Sequence, residues 1–266
     1  DLAGYRVLVV EDVEINRLIA REALRRMGCR VEIAEDGAQA VEKALAADYD
    51  IVLMDIQMPG TDGVEATRRI RAAEGPRSRV PIVAVTAHAM ASEREAYLAA
   101  GLDDYLSKPF KPSALREIVA RWTGEAREAL PPEAPANAPA EAVDGARLRE
   151  LAQAISPDVM HGLFATWLAN TSESVERICT LAAARDASGI ATEAHKLAGS
   201  AGNFGAARLE LLARGIEETC RADPHADLRE KATSIRRIHA ETAEAIRLRL
   251  DVEDTPPLAR VSALGD

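Results

Sequence analysis

The spacing of apolar residues changes twice along the chain. Up to about residue 122, short strand-like runs at 6–10, 31–34, 51–54, 80–85 and 105–107 alternate with stretches whose apolar positions recur every three or four residues. The first run is followed by Ile15, Leu18, Ile19, Ala23, Leu24 and Met27, stopped by Gly28. Asp36 is positioned to cap a second helix carrying Ala40, Val41, Ala44 and Leu45. Helical spacing returns over 64–73, 89–100 (ending at Gly101) and 113–122. The run 51–54 has charge before it and Pro59-Gly60 after it, and reads as a strand buried on both faces. Five strands alternating with five helices predict an α/β fold, a doubly wound five-stranded parallel sheet.

From 130 to 142 the pattern stops. LPPEAPANAPAEA has four prolines, five alanines and no aliphatic residue after Leu130, so it cannot bury a core and reads as a semi-rigid extended spacer. From 144 to about 250 the spacing is helical throughout: a lead-in helix over 145–155, then longer helices over 157–183, 188–202, 206–221 and 228–250. The connections are short, which predicts an all-α, up-down four-helix bundle. No internal repeat stands out. The domains expected are 1–126, a Pro/Ala-rich linker 127–143, a helical domain 144–250 and a patternless, disordered tail 251–266.

Composition narrows the functional classes. The 266 residues are 47% hydrophobic and 29% charged, as in ordinary globular protein. No apolar run approaches the ~20 residues of a membrane helix, so membrane contact is not expected of this segment. A net charge of −10 with 3% aromatic residues argues against a nucleic-acid groove, which needs a basic patch with stacking rings. Cys29, Cys179 and Cys220, all in helix-like stretches, are too few and too widely spaced for a disulfide or zinc framework and fit a reducing, cytoplasmic compartment. The chain starts at Asp1 without a methionine and is expected to be a piece of a longer protein, in which a membrane anchor upstream would not be visible here.

The polar residues that end the strands supply candidate chemistry. Glu11 and Asp12 follow the first strand, Asp55 ends the third, Thr86 the fourth and Lys108 the fifth. In a parallel sheet these ends share one rim, where open α/β sheets bind ligands. An isolated Asp at a strand end is most often a turn or cap residue. Three carboxylates on one rim call instead for a divalent cation, and an all-oxygen site favours Mg²⁺ over zinc. A hydroxyl and an ammonium nearby suit a phosphoryl group in transfer, with Asp55 as nucleophile.

VVEDVEINR (9–17), LMDIQMPGTDG (53–63), VTAHA (85–89) and YLSKPF (105–110) stand in order and at spacing that resemble a response-regulator receiver domain over residues 5–122, a flavodoxin-like fold. The resemblance implies that Asp55 accepts the phosphoryl group, that Asp12 and Asp55 bind Mg²⁺ directly, that Glu11 holds a metal-bound water and that the Gln57 carbonyl contributes. It implies that Thr86 and Lys108 contact phosphate, that Lys108-Pro109 is a cis bond, and that Tyr105 is the aromatic switch residue. Glu11 replaces the commoner Asp and lengthens the reach. Tyr105 can equally be a half-buried rim residue, and His88 an exposed loop histidine without chemistry.

In the helical domain His195 lies in AHKLAGSAGNFGA (194–206). At 100° per residue, Ile190, Ala194, Leu197, Ala201 and Phe204 make the buried stripe, and His195 projects about 140° from it, which predicts a solvent-facing ring. Gly199 and Gly202 share its face, although each glycine costs a helix about 1 kcal/mol relative to alanine. Open space beside an exposed histidine, with Lys196 adjacent, suits an approaching phosphoryl group; an ordinary surface histidine is the plainer alternative. HKLAGSAGNFG, followed by a helix with Leu209, Leu212 and Glu217, resembles a histidine phosphotransfer (HPt) domain over about 156–250. That resemblance implies that His195 is the acceptor and that Lys196, Gly199 and Gly202 belong to its docking face. The family often has Lys or Arg where Ala198 stands, which leaves Lys196 to neutralise phosphate. His161, His225 and His239 read as surface or packing residues.

The two resemblances imply a two-component phosphorelay segment from the C-terminal part of a hybrid sensor histidine kinase. Phosphate would arrive on Asp55 from an upstream kinase core and pass to or from His195, with a separate response-regulator receiver downstream. No glycine-rich ATP lid is present, so ATP binding is not expected of these residues. An alternative is a regulatory module in which phosphorylation of Asp55 only controls docking of the helical domain. A haloacid-dehalogenase-like phosphatase would need a second Asp where Gln57 stands.

Overall fold

A computed structural model of the chain describes residues 2–86, 91–124 and 142–250, with side chains from 95 onward in the helix beginning at Ala91. His88, the expected linker up to 141 and the expected tail lie outside the described residues. The chain divides into two compact units, Asp1–Pro135 and Ala136–Asp266.

In the first unit β1 (Arg6–Val10), β2 (Arg30–Ala34), β3 (Ile51–Asp55), β4 (Ile82–Thr86) and β5 (Asp104–Ser107) pair in parallel in the order β2-β1-β3-β4-β5. Between and after them run α1 (Glu14–Arg26), α2 (Gly37–Ala46), α3 (Gly63–Ala72), α4 (Ala91–Ala99) and α5 (Pro112–Thr123). This order accounts for the sequence pattern. β3 and β4 lie inside the sheet and are buried along their whole length, whereas β2, at an edge, alternates. Val7, Val9, Ile51, Leu53 and Val83 pack on one face with Leu24 of α1 and Leu115 and Ile118 of α5. Leu8, Val10, Val52, Met54 and Ile82 pack on the other with Ala40 and Ala44 of α2 and Ala66 and Ile70 of α3. Each large aliphatic side chain buried in this way contributes roughly 1.5–3 kcal/mol.

β1 lies between β2 and β3, so the winding direction reverses beside it, and a crevice opens at the carboxyl ends of the strands. The register pairs Val10 with Met54, Asp55 with Val85 and Thr86 with Ser107. The residues that end or follow β1, β3, β4 and β5 therefore share one rim. Two local features differ from expectation. Cys29 is buried in the connection between α1 and β2 rather than in a helix, and Pro76–Arg79 forms a short 3-10 turn before β4.

The second unit contains α6 (Gly145–Ala154), α7 (Pro157–Ala184), α8 (Ala187–Asn203), α9 (Ala207–Ala222) and α10 (Arg229–Leu250). Pro157 opens α7, where its missing N–H is no loss. Arg185 ends that helix in the left-handed region (φ 56°), and the Asp186 carboxylate caps α8 by accepting the Gly189 N–H. Such short connections oblige successive helices to run antiparallel. α8 packs between α7 and α9, and α10 packs on α9 and α7, closing a four-helix bundle. Its centre is aromatic: Trp167 stacks on Phe204 at 5.2 Å and on Phe164 at 5.9 Å between ring centroids. The packing starts before residue 144. Val143, which composition assigned to the linker, is buried, and the Asp144 N–H donates to the Gly205 carbonyl at 2.7 Å. No described helix is long and apolar enough to cross a membrane.

Candidate functional site

The rim of the first unit brings Glu11, Asp12, Asp55, Thr86 and Lys108 together. β3 delivers Asp55 to the rim, and α3 starts hard against it: a Cβ at Gly63 would lie 2.1 Å from the Asp55 carbonyl oxygen. Lys108 Nζ donates to Asp55 Oδ2 at 2.5 Å and to Glu11 Oε2 at 2.6 Å, and all three side chains are almost fully buried. The other oxygens are also occupied. The Gln57 N–H donates to Asp55 Oδ1 at 3.0 Å; Glu11 Oε1 accepts from Asn16 Nδ2 at 3.0 Å and from the Val13 N–H at 3.2 Å. The Lys108–Pro109 peptide is cis.

Burial pushes the Asp55 carboxyl above the ordinary carboxylate range; Lys108 pulls it back, and Glu11 and then Asp12 add to the rise. For Lys108, burial works against the ammonium, but Asp55 and Glu11 outweigh it and hold the group charged above its ordinary value. One carboxylate oxygen each from Glu11, Asp12 and Asp55 lies within 4.8 Å of the others, so this cluster can hold a metal ion. Oxygens sharing one Mg²⁺ at roughly 2.0–2.1 Å lie at most about 4.2 Å apart. The cluster fits with a small inward movement, or with a water between one carboxylate and the ion.

Thr86 is buried, with its hydroxyl 3.3 Å from that of Tyr97 on α4. Tyr97 was not legible in the sequence, because its contact depends on how α4 lies across the end of β4. Tyr105 is half-buried and packs with Tyr97 on the same apolar cluster. The Gln57 side-chain oxygen is buried with no hydrogen-bond partner among the described residues.

In the second unit His195 does not point freely into solvent. Its side chain is 21% exposed, and Nδ1 lies 3.0 Å from Oε1 of Glu217, a residue of α9 that is itself 4% exposed. The Arg221 guanidinium forms an ion pair with the same oxygen at 2.6 Å. A helical wheel for α8 alone could not show that α9 runs alongside and brings Glu217 against the ring. For Glu217, burial raises the carboxyl pKa, but the hydrogen bond from His195, its charge, and Arg221 and Arg214 prevail and hold it below the ordinary range. In the neutral tautomer that donates from Nδ1 to the Glu217 carboxylate, the Nε2 lone pair is free.

The expected docking face is only partly formed. Gly199 is half-buried, but Gly202 is buried with the rest of the last turn of α8. That turn lies where the chain entering α6 bonds to Gly205. Lys196 sits 4.0 Å from Glu193 Oε1, an oxygen that Arg177 of α7 also approaches at 3.6 Å. His239, expected to be a plain surface or packing residue, is buried in the bundle, with Nε2 2.8 Å from Thr171 Oγ1.

Two family models match the chain: the response regulator receiver domain over residues 7–120 and the Hpt domain over 146–254. A two-component response regulator of Oryza sativa, ORR41, is 48% identical over 121 residues, which cover 93% of it and 44% of this chain. The chain belongs to the two-component signalling family, as a receiver followed by an Hpt domain. The sensor histidine kinase GacS of Pseudomonas protegens is 34% identical over 248 residues, 89% of this chain but only 27% of that protein. This chain thus spans about a quarter of the length of that relative. The receiver of sensor histidine kinase PA1611 from Pseudomonas aeruginosa, solved with magnesium in its active-site cleft, is 48% identical; the match covers 46% of this chain and 99% of that one, with a TM-score of 0.43. A receiver joined to an Hpt domain is a phosphorelay segment, and the docking-only module is the less favoured reading.

Proposed function

We propose that Asp55 and His195 are the two phosphoryl carriers of this segment, within a parent sensor kinase. Asp55 would take a phosphoryl group from a phosphohistidine of an upstream kinase core. The carboxylate oxygen forms the new P–O bond while the P–N bond breaks, and its electron pair returns to the donor imidazole. In the next step His195 Nε2 attacks the aspartyl phosphate; the N–P bond forms, the P–O bond breaks and the Asp55 carboxylate is restored. No proton needs to leave Nε2, because Nδ1 already carries it. The phosphorylated ring then bears positive charge, which the Glu217 carboxylate faces at Nδ1. A downstream receiver would take the group from His195, or the steps would run in reverse.

Lys108 and the Thr86 hydroxyl are suited to hold the phosphoryl oxygens, in keeping with the buried ammonium already aimed at Asp55. Asp12 and Asp55, with Glu11 through a water and the Gln57 carbonyl, would hold Mg²⁺, which supplies charge neutralisation to the transferring group. Tyr105 would follow Thr86 inward. The free thiols accord with a cytoplasmic setting. One observation carries this reading: a histidine whose Nδ1 lies 3.0 Å from a buried carboxylate, in the same chain as a buried aspartate–lysine pair beside a carboxylate cluster. Incubation with Mg²⁺ and a radiolabelled small acyl phosphate tests it. Label should enter the native chain and be abolished in Asp55→Ala; label in that variant equal to the native level would contradict the reading.

A further inference from the structure

Arg17 lies near the start of α1, just past the end of β1, and its side chain is only 9% exposed. From one nitrogen, Nη1, it donates to two successive carbonyls, those of Glu11 at 2.9 Å and Asp12 at 2.7 Å. Nη2 is 3.4 Å from Glu35 Oε1, whose side chain is 57% exposed, and Nε is buried without a hydrogen-bond partner. Burying a guanidinium is costly, and a long, mostly exposed ion pair offsets little of that cost. A methionine would fill similar space without it. What Arg17 provides that an apolar side chain could not is the forked hold on the two peptide groups that carry the acidic pair. Asn16, its neighbour, fixes the Glu11 carboxylate from the same helix.

We propose that Arg17 is a positioning residue for Mg²⁺. By pinning the Glu11 and Asp12 carbonyls it fixes the direction in which both side chains leave the loop, and so preforms the carboxylate cluster. This rests on reading Glu11, Asp12 and Asp55 as the metal site. The proposal has a sign that electrostatics alone would reverse. The three carboxylates meet one ammonium, Lys108, and Arg17 brings a second positive charge to the backbone that carries two of them. Removing a positive charge beside a dication site should by itself tighten Mg²⁺ binding, whereas losing a preformed geometry should weaken it.

The test is calorimetric titration of Mg²⁺ into the full chain, native and as Arg17→Met and Arg17→Lys, with far-UV circular dichroism to verify folding. Arg17→Met should bind Mg²⁺ about 10-fold or more weakly, the usual effect of losing a group that orients a metal ligand. Arg17→Lys keeps the charge on a shorter side chain with less reach to the two carbonyls, and should also bind more weakly; it decides the matter if Arg17→Met does not fold. Unchanged affinity would reduce Arg17 to a structural residue, and tighter binding would make it only a counter-charge; either overturns the proposal. No Mg²⁺ binding by the native chain would instead remove the metal site on which it rests.

Discussion

Glu217 Oε1 is shared between the His195 ring and the Arg221 guanidinium, and on the proposed reading that oxygen favours the tautomer with Nε2 as the nucleophile. Hydrogen bonds to charged groups contribute about 1.5–3 kcal/mol. Glu217→Ala is therefore expected to slow phosphoryl acceptance at His195 by about 10- to 100-fold, with phosphorylation of Asp55 unchanged. Glu217→Gln, which can still accept from Nδ1, should recover much of the rate. The rate of label transfer to His195 in the two variants checks this; equal rates in native and Ala variants would remove Glu217 from the site. Much of this was legible by residue type: Asp55, Thr86 and Lys108 announce themselves as polar residues at the ends of apolar runs. Glu217 could be seen in the sequence only as part of the motif. Its role depends on a contact 22 residues away across two helices, and Arg17 and Tyr97 were hidden for the same reason.

At the scale of elements, α7 and α10 meet through a polar contact inside an aromatic core. Thr171 Oγ1 is 2.7 Å from the Trp167 carbonyl and 2.8 Å from His239 Nε2, and the Trp167 ring lies 6.1 Å from that imidazole. Burial lowers the His239 pKa. A base depressed in the folded state binds fewer protons there than when unfolded. The stability tied to this difference is fully present above the unfolded histidine value and is lost as pH falls through the folded one. His239→Leu should thus lessen the acid destabilisation of the helical domain. Little cost is expected at neutral pH, because the Thr171 hydroxyl keeps the Trp167 carbonyl as acceptor. Urea unfolding at pH 7.5 and 5 measures this, and an identical pH dependence in both proteins would contradict it. Strands and helices themselves were nearly all legible, since β3 and β4 are buried on both faces and read as unbroken apolar runs. The exceptions are local. The 3-10 turn at Pro76–Arg79 has no buried residue to set a pattern, and the contact that partly buries His195 comes from a second helix.

At the scale of the whole molecule, a parallel-sheet unit and a helical unit follow one another, and the proposed phosphoryl carriers Asp55 and His195 fall one in each. Alternating strands and helices, a proline-rich spacer and continuous helical spacing are long-range patterns that survive small errors at any boundary. The central claim is that phosphate moves between Asp55 and His195. A pulse–chase experiment tests this most directly: label Asp55 with a small acyl phosphate and Mg²⁺, remove the donor, and follow the label's acid and base stability with time. The account predicts that base-labile aspartyl phosphate declines while acid-labile, base-stable phosphohistidine grows, and that His195→Gln abolishes the growth. Label that stays on Asp55 until it hydrolyses, with none reaching His195 when the labelled chain is also mixed with fresh Asp55→Ala chain, would contradict it.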